Sequence, residues 1–197
     1  MRVIGLDPGS IRTGYACYSD HKTLDSAGYL KGKRRQDPAW DRVLAMCVAL
    51  RELIEKFTPE CIAIEVTTGH VNRGRHRGQG AGLPTYGMAV GGLYVYACVL
   101  AETSDPTFEV WPFAENVWTK GRTKESRRQS VWMAEQRYRH MIAKDSDGDI
   151  ADAICLCWTA EAKSVVVNAG SGKVVGGTQE LCKRQIRRER RVCPWVR

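Results

Sequence analysis

The chain predicts an α/β protein: a five-stranded mixed β-sheet flanked by α-helices. Two observations lead there. Three short strand-like segments open the sequence without a helix between them, and after a long amphipathic segment the strands alternate with helices. A third observation concerns chemistry. Acids close two of the most apolar strand segments, and a further pair opens an apolar helix.

Arg2 to Leu6 is an unbroken aliphatic run and reads as a short buried strand, stopped by the turn residues Asp7-Pro8-Gly9-Ser10. Thr13 to Tyr18 and Ser26 to Leu30 supply two more strands, together an antiparallel meander. From Pro38 the period becomes helical, with Trp40, Val43, Leu44, Cys47, Leu50, Leu53, Ile54 and Phe57 at spacings of three and four. Asp37 is the expected N-cap, with proline in the first helical position. Pro59 ends that helix, and Ile62 to Val66 form an apolar strand carrying Glu65. Gly69 to Gly82 is a loop rich in glycine and arginine. Tyr86 to Glu102 reads as a buried helix whose Gly87, Ala89, Gly91 and Gly92 permit close backbone packing. Thr107 to Trp111 is the fifth strand, Thr123 to Arg139 a basic amphipathic helix, and Asp149 to Lys163 the last helix. Residues 1–165 therefore form the expected domain, and 166–197 a glycine-rich join leading to a basic tail.

At 43% hydrophobic residues the chain can fill a core, which excludes a disordered arm. The sequence shows no run near the ~20 apolar residues that span a bilayer and no signal peptide, so a cytoplasmic, DNA-associated protein with no membrane partner is expected. Cys61, Cys98, Cys155 and Cys157 lie in apolar segments as small hydrophobes, and no C-x-x-C pair offers a zinc site. The net charge of +8 is clustered. Arg73, Arg75 and Arg77 share the glycine-rich loop with His70 and His76. Lys120, Arg122, Lys124, Arg127 and Arg128 surround a helix start, and Lys183 to Arg191 is dense in arginine. One such run is commonly a solvated face; three beside an acidic constellation favour a nucleic-acid backbone, which rewards clustered cations by releasing counterions.

The acids are Asp7, Glu65, Asp149 and Asp152. A carboxylate at the end of a buried strand is costly unless something positive meets it. Asp149 and Asp152 are three apart, which on a helix puts them on one face, in the first turn where the helix dipole favours negative charge. Two of the acids have an ordinary alternative, whereas Glu65 is harder to dismiss. Asp7-Pro8-Gly9 is a common turn, Asp149 is a natural N-cap, and Asp145 and Asp147 compete for the third acid, although Asp145-Ser146-Asp147-Gly148 reads as a solvated loop. Together, four hard oxygen donors suit a pair of Mg²⁺ ions, with Mn²⁺ as substitute; thiols would not.

The opening Arg2-Val3-Ile4-Gly5-Leu6-Asp7-Pro8-Gly9-Ser10 with Thr13-Gly14-Tyr15, the strand Ile62-Ala63-Ile64-Glu65, and Asp149-Ile150-Ala151-Asp152-Ala153 resemble, in order, the motifs of the RuvC family of Holliday junction resolvases. Gly87 to Gly91 and Lys124 also look like family positions. The resemblance covers roughly residues 1 to 165. It implies an RNase H-like fold and a homodimeric, magnesium-dependent endonuclease that cuts four-way DNA junctions. Asp7, Glu65, Asp149 and Asp152 would be metal ligands and catalytic groups, and Lys124 would contact the scissile phosphate. Arg73, Arg75, Arg77, Lys120, Arg122 and Arg127 are the expected backbone contacts, and the helix from Tyr86 to Glu102 is the expected dimer element. The chain departs from the family in the basic loop Arg73-Gly74-Arg75-His76-Arg77, in the Gly-rich join and arginine tail after Lys163, and just after the second acid. The stretch Val66 to Asn72 after the second acid carries no Phe or Tyr, where resolvases of the family usually place an aromatic residue. Two other functions fit the same acids: a broader nuclease for flaps, forks or RNA–DNA hybrids, and a branched nucleic-acid binder that does not cut.

Overall fold

The computed structural model describes residues 1–19, 23–31, 34–66, 83–145 and 147–169. Chain contacts separate Met1–Glu161 from Ala162–Arg197, and of the second unit only the end of one helix is described. The basic tail, like Arg73, Arg75, Arg77, His70 and His76, lies outside the described residues.

Five strands, β1 (Val3–Asp7), β2 (Arg12–Tyr18), β3 (Leu24–Lys31), β4 (Cys61–Val66) and β5 (Glu109–Ala114), form one sheet in the order β3-β2-β1-β4-β5. β1, β2 and β3 pair antiparallel, as the meander predicts. β4 joins β1 in parallel and β5 joins β4 in parallel. The expected five-stranded mixed sheet is thus present, with β1 at its centre. The fifth strand runs later than expected, into Pro112, which an edge strand tolerates because one side of its backbone has no ladder to donate to.

The helices are α1 (Ala39–Phe57), α2 (Leu83–Thr103), α3 (Glu115–Thr119), α4 (Lys124–Ala134), α5 (Arg139–Lys144) and α6 (Asp149–Ala169). The strand alternation assigns one core to each side of the sheet. Ile4, Leu6, Ile62 and Ile64 pack with Val43, Met46, Leu50 and Leu93 of α1 and α2. Val3, Cys61 and Ala63 face the other way, with Trp118, Val131, Ile142 and Ile154 from α3 to α6.

Several local expectations change in three dimensions. Pro38, not Asp37, holds the N-cap position of α1, and the Asp37 carbonyl instead accepts from the buried Arg42. The helix expected over Thr123 to Arg139 stops at Ala134 and resumes at Arg139 after a 3-10 turn, Gln136–Tyr138. Tertiary bonds decide the break. Tyr18 donates its hydroxyl to Glu135, Tyr138 donates to the Asp25 carbonyl (2.6 Å), and Arg128 reaches the Ile142 carbonyl (3.0 Å). Asp145 is not solvated. It is wholly buried, accepts from the backbone N–H groups of Ile150 (2.9 Å) and Ala151 (3.2 Å), and so caps α6.

α2 departs furthest from expectation. Its Ala89, Leu93 and Ala97 are fully buried, and at Gly92 a Cβ would stand 2.7 Å from Val43, so close packing on α1 requires glycine there. Gly87 and Gly91 have open space beside them instead. Met88, Val95 and Val99 are exposed, and they border an apolar groove of about 600 Å³ with Leu44 and Val48 of α1. Pro84–Thr103 is also long and apolar enough, by length and composition, to cross a membrane, contrary to the reading that no segment is. Its buried face nevertheless packs on a sheet and a neighbouring helix, as a core helix does.

Candidate active site

The two-residue period of the strands builds the first half of the site. On β1, Val3, Gly5 and Asp7 share a face; on β4, Cys61, Ala63 and Glu65 do. Parallel pairing sets Leu6 opposite Ile64, so Asp7 and Glu65 leave the paired stretch side by side, on the face that α6 covers. Both acids are 9% exposed.

Two glycines bring α6 onto that face. A Cβ at Gly5 would lie 2.1 Å from the Ala153 carbonyl oxygen, and one at Gly14 would lie 2.2 Å from that of Asp149. Any side chain at either position would lift the helix off the sheet. With glycine the first turn of α6 comes down beside Asp7, carrying Asp149 and Asp152.

The resulting charge distribution is uneven. Burial, then the nearby Glu65, Asp152 and Asp149, push the Asp7 carboxyl well above the usual carboxylate range, with Lys124 acting against them. Burial, Glu115 and Asp152 raise Glu65 to about 7, while Lys124 and the Trp118 indole favour its charged form. Burial also raises Asp149, opposed by Lys124. The lysine responds in kind. Burial disfavours its charge, but Asp7, Asp149 and Asp152 outweigh that and hold its pKa up. Its ammonium group lies 3.0 Å from Asp149 and 3.5 Å from Asp152. Lys124, half exposed, is a counter-ion to the acids.

Arg127 corrects an expectation. It does not offer its guanidinium to solvent: the residue is buried, and Nε and Nη2 fork onto the two carboxylate oxygens of Asp152 at 2.7 and 2.8 Å, while Nη1 donates to the Arg122 carbonyl at 2.7 Å. Lys120 and Arg122 are exposed at the turn before α4, where a backbone phosphate could reach them. Three neighbours went unnoticed in the sequence. Arg12 donates to Asp147 (2.8 Å) and approaches Asp149 (4.0 Å), Glu115 repels Glu65, and Tyr86 has its pKa raised by burial and by Glu65 and Asp7. Nothing in their sequence spacing marks them, because each reaches the site from a separate element.

Among the described residues, no three His, Cys, Asp or Glu side chains stand close enough together to hold an ion as they are. Like charges explain the separation, with Lys124 drawn in beside the helical pair. The donor set nonetheless fits a hard divalent cation. It is entirely carboxylate, it is largely buried, and Asp7 and Glu65 are raised by burial and by their acidic neighbours, a cost that a bound cation would reverse.

Several known proteins are similar to this chain in sequence or fold. A family model described as "Crossover junction endodeoxyribonuclease RuvC" matches residues 3–74. A protein of that name from Chlorobium chlorochromatii (strain CaD3) is 29% identical over 163 residues, covering 80% of this chain and 78% of its own. One from Trichlorobacter lovleyi is 25% identical over 161 residues, covering 79% and 84%. Among solved structures, T. thermophilus RuvC in complex with a Holliday junction substrate superposes with a TM-score of 0.55 at 21% identity, over 79% of this chain and 89% of that one. The yeast mitochondrial Holliday junction resolvase Ydc2 gives 0.52 at 17% identity, over 83% and 82%. At such identities the structural likeness speaks for the fold, which is RNase H-like. The amino-terminal motif and most of the chain are thus similar to RuvC resolvases.

Proposed function

We propose that this chain is a magnesium-dependent endonuclease that resolves four-way DNA junctions by paired phosphodiester hydrolysis, with Mn²⁺ able to replace Mg²⁺. The observation that carries this reading is the gathering of Asp7, Glu65, Asp149 and Asp152, from three separate elements, on one face and one end of the sheet. The names of its relatives, crossover junction endodeoxyribonucleases, support the substrate.

Asp7 and Glu65 would hold the ions from the strand side, and Asp149 and Asp152 from the helix side. Bound divalent ions supply a water deprotonated near neutral pH and charge relief at the attacking and leaving oxygens. The protein's own groups do the rest. Asp7, on the central strand, would be a ligand from the middle of the sheet. Lys124, beside Asp149 and Asp152, would meet the non-bridging oxygens of the scissile phosphate, where negative charge develops. Lys120 and Arg122 lie at the rim and position the backbone without reading sequence.

Symmetric nicking of two strands calls for two equivalent sites, which a two-fold dimer provides. The outward face of α2 supports that assembly. Its exposed Met88, Val95 and Val99, with open space at Gly87 and Gly91, suit a second copy of the same helix.

The test is one substrate panel: a mobile four-way junction, a flap and a linear duplex, each with and without Mg²⁺. Symmetric nicking of the junction alone, lost in Asp7→Asn while junction binding persists, is the expected result. Equal cutting of all three substrates would replace this reading with a general nuclease. Cutting that survives both chelation and Asp7→Asn would end it.

A further inference from the structure

Behind the acids lies a second layer that the proposed chemistry does not use. Arg127 is buried, and every guanidinium nitrogen has a protein acceptor: two on Asp152 and one on the Arg122 carbonyl. Its guanidinium carbon lies 4.8 Å from the ring centroid of Trp118, which is almost wholly buried in the core. Trp118 in turn has the orphaned buried donor among the described residues: its indole Nε1 has no hydrogen-bond acceptor, yet it lies near enough to Glu65 to favour that carboxylate's charged form. One buried arginine thus ties a carboxylate on α6 to a tryptophan of α3.

We propose that Arg127, braced on Trp118, is a positioning residue for the divalent-metal site: it fixes the plane of the Asp152 carboxylate so that the remaining lone pairs face Asp7. A bidentate fork takes one lone pair from each carboxylate oxygen and leaves the others free. A lysine would carry the same charge as a point and leave the carboxylate free to rotate. The buried guanidinium also separates Arg127 from its basic neighbours Lys120 and Arg122, which are exposed. Its role is to hold an acid in place, whereas theirs is to meet DNA. The inference rests on the metal-binding reading above, and its test is chosen to separate the two.

Calorimetric titration with Mn²⁺, without DNA, compares the wild type with Arg127→Lys. Partners behind metal ligands typically contribute about 10–100-fold in metal affinity, and Mn²⁺ binding weakened by that factor in a folded Arg127→Lys protein is expected. Binding within twofold of wild type overturns the proposal. If the wild type takes up no Mn²⁺, the metal reading fails and this inference with it. Because the variant interrupts a buried pair and can unfold, a second measurement uses the wild type alone. The Arg127 Nε–H resonance is followed by NMR as Mg²⁺ and then junction DNA are added. A signal that stays protected from exchange supports a permanent brace. Its loss to solvent exchange on adding metal or DNA overturns the proposal, and would return Arg127 to the phosphate-contacting groups.

Discussion

The two halves of the site carry the same formal charge in opposite conditions. On the strand side, Asp7 and Glu65 are buried acids whose pKa values burial and acidic neighbours push upward. On the helix side, Asp149 and Asp152 meet Lys124, Arg12 and Arg127, and Asp152 holds a two-pronged buried ion pair. The strand acids are therefore the more strained half, and the helix acids, although burial raises Asp149 as well, are the braced half.

The sharpest way to break this contrast is to remove one acid from each half and measure metal-free stability by denaturant unfolding. Asp152→Ala leaves the Arg127 charge buried without its partner, and should cost about 3–5 kcal/mol. Asp7→Asn removes a repelled carboxylate and should stabilise the metal-free protein by roughly 1 kcal/mol while abolishing cleavage. Equal and same-signed effects would show that the halves do not differ as described.

The next largest effect concerns Lys124. If it is the counter-ion of the metal-free site, Lys124→Ala should tighten Mn²⁺ binding roughly tenfold by removing a competing cation, yet slow cleavage at saturating metal by about 10²-fold. Weaker Mn²⁺ binding would make the lysine a support for the site instead of an occupant.

A pH series sharpens the strained half. Glu65 is raised from 4.5 to about 7 in the folded protein, so the folded state binds its proton more tightly than the unfolded chain does. The resulting stabilisation is complete below about pH 4.5 and is lost as pH rises through 7. Metal-free protein should thus lose on the order of 1–3 kcal/mol from this group between those limits. Saturating Mg²⁺ should flatten the loss above neutrality, because it binds the ionised form; Glu65→Gln should flatten it without metal.

The smallest effect is expected at the rim. Lys120→Ala or Arg122→Ala should each lower the salt slope of junction binding by about one unit, with little change in the rate at saturating substrate. Arg127→Lys should leave that slope unchanged, since its guanidinium faces Asp152 and not solvent.

Much of the strand half was legible beforehand. The aliphatic runs ending in Asp7 and Glu65 mark both strands and their acids, and period-two alternation then leaves each acid one face to occupy. The helical pair was equally plain from its spacing. Less legible were the groups that serve these acids. Arg127 looked like one more cation in a basic run, Asp145 like part of a solvated loop, and Gly5 and Gly14 like ordinary strand residues. Each owes its role to a neighbour from another element: Asp152, the start of α6, or that helix's backbone pressed against the sheet.

The sequence by itself determined the strands, the four acids and the surplus of positive charge, because periodicity and residue chemistry are local properties of the chain. Folding settles which cations are buried against acids and which stay exposed, that α4 breaks at Glu135, and that α2 keeps an apolar face outward. Those outcomes depend on distances between segments far apart in the chain. A guanidinium shares its charge with whichever carboxylate folding brings within about 3 Å, and no spacing rule along the chain encodes that meeting.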